Sequence, residues 1–289
     1  MLKRFLLAIV VAAAPSVSLA AGAANDVSNA MPSGATPPVA AGTQNSFQLV
    51  WVVFLGGINL GTVGIKTNFS GDTYASVSRL KTAGVLNSFY EAVIDASAVG
   101  TLAGDVVHPQ KYDSSYNGEK SNQRVSLAYA SSGGIQLYSE PAYDVNRFPV
   151  SEDQKRDTVD PLSGIVFAIS GVSITPEKKC GDTVRVFDGR RRYDVELTYV
   201  AQENVSTSGG YSGPTTKCEM RYKQIAGFKQ TVMKTPLPTI SVWFATFPTK
   251  EPGPVKAFAV PVRLIADTPF GAAIAHARKI TIDGEDKNG

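Results

Sequence analysis

Residues 183–200 read Thr-Val-Arg-Val-Phe-Asp-Gly-Arg-Arg-Arg-Tyr-Asp-Val-Glu-Leu-Thr-Tyr-Val, and their pattern decides the fold class. Tyr193, Val195, Leu197 and Tyr199 alternate with Asp194, Glu196 and Thr198. That period of two lays one apolar face on a core and leaves the other in water, as in a half-buried strand. Val184 to Phe187 precedes it, joined through Asp188-Gly189, a dipeptide that accepts the left-handed backbone of a tight hairpin turn. Thr183 to Val200 is therefore predicted to be a β-hairpin.

Working outward, the same reading predicts strands over Gln48–Leu55, Asn59–Phe69, Thr73–Lys81, Tyr90–Ala98, Gly104–Tyr112, Arg124–Ala130, Cys218–Ile225, Ile240–Thr246, Ala257–Ala266 and Ala273–Ile282. Two of these, Leu49–Leu55 and the stretch around Phe258 to Ile265, are apolar on both faces, so a further layer must cover the sheet. The candidate cover is a helix with Asp160 as its N-cap, Pro161 in its first turn, Leu162, Ile165, Val166 and Ile169 as its apolar body and Gly171 as its stop. A second helical turn is predicted over Ala83–Phe89. With 26 Gly and 17 Pro in the chain, these elements describe a mainly β protein. The expected fold is a single highly curved antiparallel sheet, an open barrel or spiral of about a dozen strands, with one or two short helices.

The N-terminus predicts where the protein works. Lys3 and Arg4 precede an apolar run from Phe5 to Ala14 and a small-residue exit at Ser18, Leu19 and Ala20. About ten apolar residues are too few to span a bilayer, which takes about 20, so residues 1–20 read as a secretory signal peptide. Cleavage follows Ala20, with Ala23 and Ala24 as alternatives. Residues 21–45, rich in Ala, Gly, Pro, Ser and Asn, read as a flexible leader, and 46–289 as one β-rich domain. With no Cys at the end of the apolar run, the expectation is an exported protein without a lipid anchor or transmembrane span, periplasmic in a Gram-negative cell. Residues 1–20 carry no acid, so losing Lys3 and Arg4 with the signal peptide lowers the formal charge of +3 to +1. That near-neutral balance excludes the electrostatic footprint of a nucleic-acid binder. Lys178-Lys179 and Arg190-Arg191-Arg192 are candidate anion patches, read more simply as solvated charges.

Cys180 and Cys218, the two cysteines, are expected to form one structural disulfide in an oxidising compartment. No C-x-x-C motif supports the alternative of a redox thiol. The two histidines, His108 before Pro109 and His276 within an alternating strand, lie in no catalytic motif. Ser212 lacks the Gly-x-Ser-x-Gly spacing of a nucleophile elbow. Gly56, Gly57, Gly61 and Gly64 lack the phosphate-loop fingerprint and read as bends or close backbone approaches. Asp188 and Gly189 have a sufficient role in the hairpin turn and Asp160 in the helix cap. Asp194 and Glu196 share a strand face without further support as an acid and base pair. Trp51, Phe54, Trp243 and Phe244 read as core. No catalytic residue, cofactor or metal site is therefore expected.

The segments Val159-Asp160-Pro161-Leu162-Ser163, Cys180-Gly181, Val186-Phe187-Asp188-Gly189-Arg190-Arg191-Arg192-Tyr193, Cys218 and Ile225-Ala226-Gly227 together resemble an exported bacterial family, domain of unknown function 3108. Gly57 to Gly64, Gly100 and Pro109-Gln110-Lys111-Tyr112 resemble its N-terminal half. The resemblance implies a β-rich periplasmic protein, similar to the curved sheets of lipoprotein carriers and of spiral-sheet envelope proteins, with no known reaction.

The leading functional expectation is a non-catalytic protein of cell-envelope maintenance that binds a lipid-like ligand or an envelope protein, leaving part of its apolar sheet free for that purpose. The rival is an envelope hydrolase with an unrecognised site. A carrier needs an apolar cavity, and an enzyme needs a converging acid, base or nucleophile.

Overall fold

The computed structural model describes residues 45–288 apart from 85–90, 120, 172–173, 175–179, 236 and 251–252. The strands are β1 (Asn45–Leu55), β2 (Ile58–Ser70), β3 (Thr73–Thr82), β4 (Ala92–Ala103), β5 (Val106–Gly118), β6 (Ser121–Tyr129) and β7 (Ile135–Glu140), then β8 (Thr183–Phe187), β9 (Arg192–Ser206), β10 (Ser212–Ala226), β11 (Ile240–Pro248), β12 (Ala257–Thr268), β13 (Gly271–Ile282) and β14 (Glu285–Asp286). Three helices accompany them: α1 (Glu152–Lys155), α2 (Pro161–Ile169) and α3 (Gln230–Met233).

The strands form one 14-stranded antiparallel sheet ordered β7-β6-β5-β4-β3-β2-β1-β13-β12-β11-β10-β9-β8, with β14 beside β13. Two meanders thus meet at a central seam where β1 pairs with β13, Phe47 opposite Ile282 and Leu49 opposite Ile280. The two edge strands, β7 and β8, are consecutive in sequence. The segment between them therefore crosses from one edge of the sheet to the other, and α2 lies in that crossing. It packs on β3, β4 and β5 of one meander and on β8 and β12 of the other. The sheet curls around this helix without closing into a hydrogen-bonded barrel.

The main core lies in the concave face and joins Phe47, Leu49, Ile65, Phe69, Leu102, Leu127, Phe258 and Ile280 to Leu162, Val166 and Ile169 of α2. The three helix side chains are at most 2% exposed. Burial of such a side chain is worth about 1.5–3 kcal/mol, so the helix is held chiefly by its apolar stripe. This corrects one expectation: around α2 the concave apolar face is filled by the helix and is not left free.

The second apolar face of β10–β12 has a different cover. Cys218, Val242 and Leu264 oppose one another across these strands and so share a face. With Leu197, Phe244 and Ala259 they form a separate cluster beneath Ile174 and Cys180. The Cys180–Cys218 disulfide staples that segment to β10, with Cα atoms 6.1 Å apart.

Further departures from the sequence reading have local causes. β7 and the outer halves of β9 and β10 were not predicted. Residues 201–206 are mostly polar, and the ladder from Ala201–Lys217 to Ser206–Ser212 holds them without an apolar stripe. His108 is exposed inside β5 opposite Thr101. The helical turn predicted over Ala83–Phe89 falls mainly on residues 85–90, outside the described residues.

Candidate functional site: the helix in the concave face

The predicted cap is in place. Asp160 is 0% exposed, and its Oδ1 accepts hydrogen bonds from the backbone N–H of Leu162 (3.0 Å) and Ser163 (2.8 Å). Ser163 Oγ donates to Asp160 Oδ2, and 2.6 Å from Ser163 Oγ lies the hydroxyl of Tyr74 on β3. Since the serine proton goes to the carboxylate, the phenol is the donor to Ser163. Gly100, opposite Tyr74 in the ladder, makes room for its ring: a Cβ there would lie 2.6 Å from the phenol oxygen.

Burial pushes the Asp160 carboxyl up to about 6, against the opposing pull of the Ser163 and Leu162 hydrogen bonds. Burial also raises Tyr74, Tyr112 and Tyr129, with the nearby Asp160 charge adding to the effect. The Tyr129 hydroxyl is buried and has no hydrogen-bond partner among the described residues. A carboxyl, a hydroxyl and three phenols therefore gather around the start of α2. Ser163 is 0% exposed, so the group can anchor the helix and hold a proton, but no substrate reaches the hydroxyl in this state.

Asp188 and Gly189 form the predicted turn. Asp188 Oδ1 accepts from the backbone N–H of Arg190 (2.9 Å) and Arg191 (2.6 Å). Burial raises its carboxyl, with Arg191 acting in the opposite direction. Gly189 has φ +91°, and a Cβ there would lie 2.7 Å from Val125 and 3.1 Å from Leu137. The β8–β9 turn thus lies against side chains of β6 and β7.

The three arginines are structural. Arg190 sits over the Tyr143 ring at 5.3 Å and Arg191 over Phe228 at 5.7 Å. Arg192 is only 6% exposed and bonds the carbonyls of Gln154 and Tyr193 and the carboxylate of Asp194. Reading these as solvated charges is wrong for Arg192. Lys178 and Lys179 lie outside the described residues.

Other candidates do not converge on this site. Asp194 is paired with Arg192 and Glu196 with Lys223, so they are not a coupled acid pair. His276 stacks on Phe54, and burial with Arg278 and Arg263 lowers its pKa. Trp51 and Trp243 are buried, their indole N–H groups bonded to the Pro261 carbonyl and to Glu203. Gly61 marks a close approach, where a Cβ would meet the Lys81 carbonyl at 2.2 Å. A groove of about 360 Å³ over β9 and β10 is lined by Arg221, Lys223 and Glu196, with the lysine and glutamate already paired. Among the described residues no group of three or more His, Cys, Asp or Glu could hold a metal ion, and no helix is long and apolar enough to cross a membrane.

Sequence reasoning found Asp160, Asp188, Gly189 and the cysteines but missed Tyr74, Tyr112, Tyr129 and Ser163. The one local signal was Ser163 itself, three residues after the cap. The tyrosines come from three other strands and are recognisable only once the sheet has curled.

A solved structure with the same fold is the beta-barrel-like protein of domain of unknown function DUF1849 from Brucella abortus, at a TM-score of 0.52 and 10% identity, covering 84% of this chain and 100% of that one. No curated protein matches this chain. The family described as "Protein of unknown function (DUF3108)" matches residues 46–278, which hold almost the whole sheet, α2 and both cysteines. This chain belongs to the DUF3108 family.

Proposed function

We propose that this is a non-catalytic periplasmic protein, exported by a cleavable signal peptide, that supports the cell envelope by holding an apolar or amphipathic ligand such as an acyl chain or lipopeptide. The ligand takes the place of α2 in the concave face. The observation that carries this reading is that the sheet is not closed by its own hydrogen bonds but is filled by a nine-residue helix on the crossover between its edges. Leu162, Val166 and Ile169 form an apolar stripe about 10 Å long by helix rise, comparable to a stretch of acyl chain. The rival hydrolase reading lacks an accessible nucleophile here, because Ser163, in the first turn of α2 itself, is fully buried.

The test is to lock the helix. A Cβ on Gly164 would lie 3.3 Å from Val184 Cγ1, close enough for a disulfide between Gly164→Cys and Val184→Cys. The folded wild type is expected to bind a fluorescent fatty acid, the cross-linked variant to lose that binding, and each single-cysteine variant to keep it. A wild type that binds no probe, or a locked protein that binds as well as wild type, overturns the proposal.

A further inference from the structure

The two edges of the sheet are treated differently. On β8 the outer rim is covered by Val159, whose N–H donates to the Arg185 carbonyl and whose carbonyl accepts from the Phe187 N–H, both at 2.9 Å. On β7 the rim is bare. The Ala130 N–H donates to the Gly134 carbonyl at 2.9 Å, which fixes the phase of the β6–β7 ladder. Gln136, Tyr138 and Glu140 therefore turn their backbone groups toward β6, while Ile135, Leu137 and Ser139 present theirs outward. Among the described residues no backbone group bonds those outward positions. Natural edges are usually blunted by lysine, a bulge, an internal proline or a covering segment. β7 has none of these, and Pro141 only ends it.

We propose that this rim pairs with the same rim of a second copy, giving a two-fold dimer with antiparallel β7 strands at its interface. The rim is compatible with itself. A two-fold axis at Leu137 sets Ile135 opposite Ser139 of the second copy, so all the outward N–H and C=O groups meet partners. On the exposed face, where Tyr138 is 57% exposed, Gln136 falls opposite Tyr138 of the second copy. The one charged side chain of the strand, Glu140, ends up about 20 Å from its equivalent by strand rise, so no like charges oppose. Ile135 and Leu137, partly buried against the core, gain further cover from the opposing strand. This inference is independent of the ligand proposed for the concave face.

Sedimentation equilibrium of the full mature protein over a range of concentrations reads the association directly. Ser139→Pro removes an outward N–H from each copy without touching the β6 ladder, and losing two bonds weakens the dimer about thirtyfold. Because Ser139 Oγ also accepts the Tyr143 N–H, the melting curve of that variant is recorded beside it. Gln136→Lys with Tyr138→Lys sets ammonium groups against each other at two exposed positions and is expected to give a folded monomer. A wild type that stays monomeric at every concentration, or a dimer that survives both changes, overturns the inference.

Discussion

At the scale of single residues, Asp160 illustrates how a cap becomes a proton-sensitive group. Its folded pKa, raised to about 6, means that the folded state prefers the neutral acid. The stability that this preference contributes is fully present below about pH 4, where the unfolded chain is protonated as well, and is lost as pH rises through about 6. A shift of about two units corresponds to about 3 kcal/mol. Asp160→Asn keeps a capping side chain and removes the titration. The variant is expected to lose the fall in stability between pH 4 and 6 and to match or exceed wild type at pH 7.5, read from urea midpoints at several pH values. Equal pH slopes in the two proteins contradict this account. Asp160 was legible as a cap because Asp-Pro-Leu-Ser is a local signal, whereas its burial and its phenol neighbours depend on strands up to 86 residues distant in the chain and left no trace in the motif.

At the scale of elements, the hairpin at Asp188-Gly189 and the helix from Pro161 formed where the sequence placed them. Both are specified by neighbours in the chain: turn chemistry in one, a cap and an apolar period in the other. The element that covers the outer face of β10–β12 was misidentified, because a two-sided apolar strand announces that it is covered without saying by what. That cover is tied down by the Cys180–Cys218 disulfide, which closes a loop with a sequence separation of 38. The chain-entropy estimate for such a loop is about 4 kcal/mol, and less where the reduced chain retains structure. Cys180→Ser is expected to lower the melting temperature by about 10 °C, measured by calorimetry, and to leave Cys218 open to thiol reagents once Ile174 lifts. An unchanged melting temperature removes the staple from the account.

At the scale of the whole molecule, the strand order makes β1 and β13 the seam on which both meanders depend, so opening it requires global unfolding. Amide hydrogen exchange is expected to be slowest along this seam and fastest on β8 and β14 at the periphery, and exchange equally slow at the periphery contradicts the topology. The sequence by itself determined the β class, most strand positions, the hairpin, the helix and the pairing of its two cysteines, because alternation, turn residues and caps act over a few residues. Only the tertiary structure decided that β1 meets β13, that the crossover threads α2 through the concave face and that the β8–β9 turn lies against side chains of β6 and β7. It also decided that one edge is capped and the other bare. The physical reason is that an antiparallel strand carries in its side chains which face it buries but not which strand lies beside it, and that choice is settled by how the whole sheet curls around a common core.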